Sequence, residues 1–78
     1  MKITRHAAER FLQRVMGKNS FTKKDMYRAY KFLEAETRDI VIHGYKVFFP
    51  LPSFGRYSVL VIDDEVVTVM PKRWTKHV

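Results

Sequence analysis

The chain has no cysteine among its 78 residues, and this absence excludes a disulfide framework and any zinc site with cysteine ligands. The three histidines, His6, His43 and His77, lack the H-x-x-x-H spacing of a helical metal site. Glycine-rich phosphate loops, nucleophile elbows and H-E-x-x-H motifs are absent too. We therefore expect no metal and no cofactor, so any chemistry would depend on side chains alone.

Long apolar runs are also missing. The N-terminus has no stretch of signal-peptide length, and no later stretch is long enough to cross a membrane, which favours a cytoplasmic protein without a membrane partner. Hydrophobic residues nevertheless make up 46% of the chain, enough for a folded core rather than disorder. We expect one domain over residues 1–78, of modest stability, for which homodimer formation is one way to gain more.

Acidic residues are few: eight of them face fifteen lysines and arginines, which gives a net charge of +7. The isoelectric point is near 10.0. Small basic domains commonly bind phosphate polyanions, because contacts with phosphates release counterions. The expected partner is RNA or another phosphate polyanion, and an inhibitor or host protein with an acidic surface is the alternative.

The first predicted helix is the segment around which the rest of the chain is organised. It covers about residues 4–16, with Thr4 as N-cap and Gly17 as the residue that ends it. At 100° per residue, four apolar side chains share one side of this helix: Ala8, Phe11, Leu12 and Val15.

The other side of this helix carries His6, Arg10 and Arg14, which recur every four residues. Groups of like charge at this spacing repel one another unless an anion lies over them. An imidazole can transfer protons near neutral pH, and arginine can hold a phosphate with two donors. The pattern fits metal-free RNA cleavage, phosphate binding without catalysis, or an ordinary solvated face of a basic protein.

The remaining segments predict an α+β fold: two N-terminal amphipathic helices packed on an antiparallel sheet of three to four strands. Thr22 and Asp25 resemble a capping box at the start of the second helix, and Asp63-Asp64 resembles the tight turn of a closing hairpin. The second helix covers about 22–36, a basic tail covers 71–78, and the strands cover about 39–43, 45–49, 56–62 and 65–70.

Further cations and an aromatic ring offer contacts to nucleic acid. Trp74 either stacks on a partner or packs on the small core, and both alternatives stay open. His43 is either a second imidazole of the site or an edge-strand histidine, and His77 lies in a tail expected to fray. The candidate nucleic-acid-binding residues are Lys23, Lys24, Arg28, Lys72, Arg73 and Trp74.

Three segments together resemble the DUF4258 family: "ITRHAAERFLQRVMG", the helix start "FTKKDM" and the closing "VVTVMP". The first contains H-x-x-x-R-x-x-x-R, and "RYSV" at 56–59 is similar to the penultimate strand of that family. These domains are thought to be related to metal-independent ribonucleases of the RelE, barnase and colicin-nuclease type, often as toxins or phage proteins. The resemblance implies a catalytic site where the first helix meets the sheet, formed by His6, Arg10, Arg14, Arg56 and Thr68.

The leading functional hypothesis is therefore a metal-independent, toxin-type RNase-like domain that cleaves RNA by acid–base chemistry. His6 would act as general acid or base, Arg10 and Arg14 would hold the phosphate, and Arg56 would assist. The alternative is a non-catalytic basic module, such as a small phage-encoded regulator that binds nucleic acid or an acidic host protein. A structural component of a ribonucleoprotein or virion is the third hypothesis. Enzyme and binding module both stay open at this point.

Overall fold

A computed structural model describes residues 1–41 and 44–75 and confirms the α+β class. Two helices precede a sheet that has four strands within those residues. The elements are β1 (Lys2–Ile3), α1 (Arg5–Arg14), α2 (Lys23–Thr37), β2 (Lys46–Leu51), β3 (Phe54–Ile62), β4 (Glu65–Pro71) and a C-terminal 3₁₀ helix (Lys72–Thr75).

The sheet is mixed rather than purely antiparallel. Its strand order is β1-β4-β3-β2, and β2, β3 and β4 form an antiparallel meander. The two-residue strand β1 runs parallel to β4, with Lys2 opposite Glu65 and Ile3 opposite Val66. A strand this short has no hydrophobic period, so the sequence did not predict it. Because β1 leads directly into α1, it places the start of that helix beside β4.

Both helix starts follow the predicted capping chemistry. The Thr4 hydroxyl accepts a hydrogen bond from the amide of Ala7 at 3.1 Å. Thr22 and Asp25 form a full capping box, in which each side chain accepts from the other residue's amide at 3.0 Å. α1 is shorter than predicted and ends at Arg14, but Gly17 does adopt the left-handed conformation (φ +69°) that turns the chain toward α2.

The strand predicted at 39–43 is wrong where the structure describes it. α2 continues to Thr37, whose hydroxyl donates to the carbonyl of Leu33 at 2.7 Å. The chain then turns, and the amide of Ile40 donates to the carbonyl of Thr37 at 3.2 Å. Residues 39–41 are therefore outside any strand, because local turn bonds prevail over the β-branched composition that favoured one. Ile42 and His43 lie outside the described residues.

The other three strands are present with shifted ends. β2 continues through Pro50 to Leu51, although the prolines were expected to end it. Proline is tolerated here because β2 is an edge strand of the described sheet and its outer side needs no ladder donor. Only Pro52 and Ser53 remain in the β2–β3 turn, since β3 already begins at Phe54. The β3–β4 turn is the predicted Asp63-Asp64 pair, with φ angles of +51° and +64°.

The core lies between the helices and one face of the sheet. Residues opposite each other in adjacent strands share a face, so buried Val59 and Val69 mark the helix-covered face. Leu60 and Thr68 are also opposite each other and point to the other face. The buried core consists of Ile3, Ala7, Ala8, Phe11, Leu12, Ala29, Leu33, Leu51, Val59, Val61, Val66 and Val69.

Candidate nucleic-acid interface

The predicted His–Arg–Arg face of α1 is fixed relative to the sheet at its N-terminal end. The Thr4 hydroxyl donates to the carbonyl of Val66 at 2.8 Å, and the Thr4 amide donates to the same carbonyl at 3.0 Å. These two bonds connect the start of the helix to the strand, and Ala7 and Ala8, in the first turn of α1, are fully buried. The rotation of α1 is set by these contacts, and it leaves His6 exposed to solvent.

Arg14 fixes the other end of α1. Its Nη1 donates to the main-chain carbonyl of Val69 in β4 at 2.8 Å, across 55 residues of sequence. β1 pairs with β4 only as far as Val66, so Arg14 binds a carbonyl beyond the last residue that β1 covers. The guanidinium therefore bridges helix and sheet, and its position does not depend on a partner molecule.

The Arg14 guanidinium also lies over the indole of Trp74, 4.8 Å from the ring centroid. This is within the range of a cation–π contact. Trp74 belongs to the 3₁₀ helix, which contacts both β3 and β4. One cation that was predicted to be catalytic and one aromatic ring that was predicted to bind nucleic acid are thus brought into direct contact.

Arg10 lies one turn before Arg14 and donates a hydrogen bond to the side-chain amide oxygen of Gln13. Burial lowers the pKa of Arg14 from its usual value, and the positive charge of Arg10 lowers it further. An arginine stays protonated despite such a shift, and the smaller part of the shift reflects repulsion between the two positive charges. We call His6, Arg10, Arg14 and Trp74 together the α1 surface.

Neither arginine of the α1 surface forms an ion pair with an acidic residue in the described part of the chain. Their hydrogen-bond acceptors are a neutral amide and a main-chain carbonyl. Glu9, the acidic residue on the same helix, lies 3.9 Å from Arg5 instead. The repulsion between Arg10 and Arg14 is therefore not offset from within the described structure, as is typical of a surface that accepts an anion.

The strand residues that the resemblance implied are on the opposite face of the sheet. The register that pairs Thr68 with Leu60 points Thr68 away from the helices. Tyr57 packs against the core, so its neighbour Arg56, which is exposed, points away from the helices as well. Sheet geometry thus divides the five predicted catalytic residues between two faces, and their joint role stays a prediction.

The cations of α2 are also separated from the α1 surface. Leu12 and Met16 line a cleft on the α2 side of α1, together with Arg28. Lys23 lines a second cleft with Arg5 at the start of both helices, and Lys24 is exposed. Arg14 lines neither cleft and binds a main-chain carbonyl of β4 instead. Arg73 is exposed and precedes Trp74 in the same short helix.

The cleft between α1 and α2 was not predicted from the sequence. It has a volume of about 400 Å³, and its apolar lining includes three phenylalanines, Phe11, Phe32 and Phe54. The centroids of these rings lie 5.0 to 6.0 Å apart. Phe54 comes from β3, at a position where a loop was expected, so only the correct strand boundary could have revealed this cluster.

Comparisons of this chain with protein-family models, with curated proteins and with solved structures gave no match. The similarity to DUF4258 accordingly stays a resemblance carried by short motifs. Among the described residues, no helix is long and apolar enough to cross a membrane.

Proposed function

We propose that this protein binds RNA through the α1 surface. The observation that carries the proposal is the pair Arg10 and Arg14, one helical turn apart, whose described acceptors are all uncharged. Each guanidinium has five N–H donors, and the described hydrogen bonds occupy one donor on each. The remaining donors suit phosphate oxygens, which arginine can bind in a forked geometry.

Three further features support RNA as the polyanion. The net charge of +7 attracts phosphate chains over a distance of several ångströms and speeds their encounter with the protein. Trp74 places an aromatic ring beside Arg14, and an aromatic ring next to a cation is the combination that single-strand binders use. The resemblance to DUF4258 points to the same substrate class. A protein partner would have to be strongly acidic to compete on this surface.

Metal-independent RNA cleavage is the second candidate, and the position of His6 favours it. His6 is exposed, and four residues before Arg10 it lies on the same side of α1. An imidazole in this place would take the proton of the attacking 2′-hydroxyl or give a proton to the leaving 5′-oxygen. Arg10 would neutralise the charge on the phosphate. The reaction would produce a 2′,3′-cyclic phosphate and a free 5′-hydroxyl end.

Binding is tested by measuring RNA affinity as a function of salt for the wild type and for Arg10→Gln. Loss of one phosphate contact should reduce the slope of log affinity against log salt by about 1. Lys31→Gln is the matched control, because Lys31 is an exposed cation on α2 and the change in charge is the same. Equal effects of the two substitutions would contradict a specific α1 surface.

Cleavage is tested in the same preparation by incubating a mixed RNA pool with EDTA present. Cyclic phosphate ends that disappear in His6→Ala, while RNA affinity is retained, would establish His6 as the catalytic residue. RNA that stays intact but bound leaves a binding module. A cleavage rate that His6→Ala does not change would rule out this role for His6.

A further inference from the structure

The tryptophan of the α1 surface is partly exposed, and exposure of so large an apolar side chain to water costs free energy. Trp74 keeps 47% of its surface accessible, although it is the only tryptophan and the core is small. Its 3₁₀ helix contacts two strands, so the ring is carried by an element that is in contact with the sheet. A large aromatic side chain held at the surface is typical of a contact site.

The guanidinium of Arg14 orients the Trp74 indole by contacting one of its faces. Arg14 lies over one face of the indole at 4.8 Å, and Arg14 itself is held by the Val69 carbonyl at 2.8 Å. Arg14 lies over this face and 47% of the surface of Trp74 nevertheless stays accessible, so a stacking partner would approach from the opposite face. A planar group that stacks there would meet a ring that is already oriented, which reduces the entropy lost on binding.

We propose that this opposite face of Trp74 stacks on an unpaired base, so that the protein is specific for single-stranded RNA whose adjacent phosphate lies on Arg10. The inference rests on the function proposed above and defines its substrate class. Every base has a π face, so stacking alone gives a preference for unpaired strands without a strong preference for sequence. In a duplex both faces of each base are already stacked, and only the phosphates remain for the arginines.

The charges around the ring favour a polyanion with aromatic groups over an apolar protein segment. Arg14 contacts the ring, Arg73 precedes it in the chain, and the 3₁₀ helix contains no acidic residue. An acidic peptide would satisfy the arginines but would not need the exposed indole. A sulfated polysaccharide such as heparin carries negative charge but no bases. Its binding therefore reports the electrostatic contribution without stacking.

The test is direct because Trp74 is the only tryptophan in the sequence, so a change in indole fluorescence reports on this residue. The wild type is titrated with a single-stranded 12-nucleotide RNA, with a blunt RNA duplex of the same length, and with heparin. We expect strong quenching by the single strand and little quenching by the other two at equal saturation. Equal quenching by heparin, or saturated binding of the single strand without quenching, would overturn the stacking proposal.

A second measurement uses labelled RNA and fluorescence anisotropy. Trp74→Leu should weaken single-strand binding about tenfold or more, and Trp74→Phe should restore part of this loss because a smaller ring still stacks. Tyr27→Leu is the matched control: Tyr27 is an exposed aromatic on α2, with 62% of its surface accessible. Equal losses for Trp74→Leu and Tyr27→Leu would contradict the proposal.

The two proposals fail in distinguishable ways. If single strand and duplex bind equally, with the Arg10-dependent salt slope but without quenching, the RNA interface stands and the stacking role of Trp74 falls. If neither RNA binds at low salt, both proposals fall. Quenching is measured on the wild type, so the test remains decisive even if Trp74→Leu impairs folding.

Discussion

The two helices are held to the rest of the molecule in different ways. α1 makes directed hydrogen bonds to main-chain carbonyls of β4 at both ends, through Thr4 to Val66 and through Arg14 to Val69. The side-chain bonds of α2 are local, as in its capping box, or exposed, as between Glu36 and the amide of Ser53 at 2.8 Å. α2 therefore depends on packing for its position.

This difference shows which helix is suited to carry a binding site. Hydrogen bonds have preferred distances and angles, so two of them, at the ends of a ten-residue helix, define its rotation and translation. Apolar packing is less directional and tolerates small shifts. The arginines of the α1 surface are accordingly on the helix whose position is better defined. The contribution of α2 is mainly to cover the core.

The largest loss of stability is expected from a substitution in the packed face of α2. Leu33 is fully buried, and Leu33→Ala should lower the free energy of unfolding by about 3 kcal/mol through lost burial and a cavity. For a 78-residue domain this is a large part of the total stability. Urea denaturation measures it. Lys31→Ala, at an exposed site of the same helix, should change stability by less than about 0.5 kcal/mol. A cost below about 1 kcal/mol for Leu33→Ala would show that α2 is not held by packing.

A smaller effect is expected where the two N-caps are compared. Thr4→Ala removes a cap bond to Ala7 and also the bond to the Val66 carbonyl, so it should cost about 2 kcal/mol. Thr22→Ala removes a local cap bond alone and should cost about 1 kcal/mol. Urea denaturation of both variants tests the order. Hydrogen exchange should accelerate along α1 in the first variant, and equal costs would refute the difference between the helices.

Local signals in the sequence were sufficient for most of the fold. The caps at Thr4 and Thr22 and the turn at Asp63-Asp64 each depend on a few neighbouring residues, so their chemistry is readable from the chain. The prediction of a strand at 39–43 is wrong over residues 39–41, where local turn bonds after α2 prevail over the β-branched composition. β1 was missed because its pairing partner is more than sixty residues away.

The candidate site was only partly predictable, because local spacing can be read from the sequence and long-range contacts cannot. The spacing of His6, Arg10 and Arg14 shows that they share a helix side, since helix geometry is local. The contact of Arg14 with Trp74 depends on the course of the chain over sixty residues and has no local signal. Thr68 and Arg56 were included through the resemblance. Alternation along the strands already places them on the opposite face from Val69 and Tyr57, but the packing that decides which face the helices cover has no local signal.

The smallest effect is expected at the start of α2, where Asp25 makes part of the helix stability dependent on pH. The hydrogen bond from the Thr22 amide is the main cause of the lowered pKa of Asp25, and Lys18, 3.6 Å away, lowers it further. Because the folded pKa lies below the unfolded one, the unfolded state takes up the proton first. The stabilisation is complete above about pH 4 and is lost as pH falls through the lowered folded pKa.

Asp25→Asn should remove this pH-dependent stabilisation. The difference in Tm between wild type and Asp25→Asn should therefore be largest near neutral pH and shrink below about pH 4. Lys18→Gln should preserve most of the pH dependence, because the Thr22 amide is the larger cause. Thermal unfolding at pH 6 and pH 3 measures both variants. If Lys18→Gln abolished the pH dependence, the exposed ion pair rather than the capping box would be the contact that stabilises the start of α2.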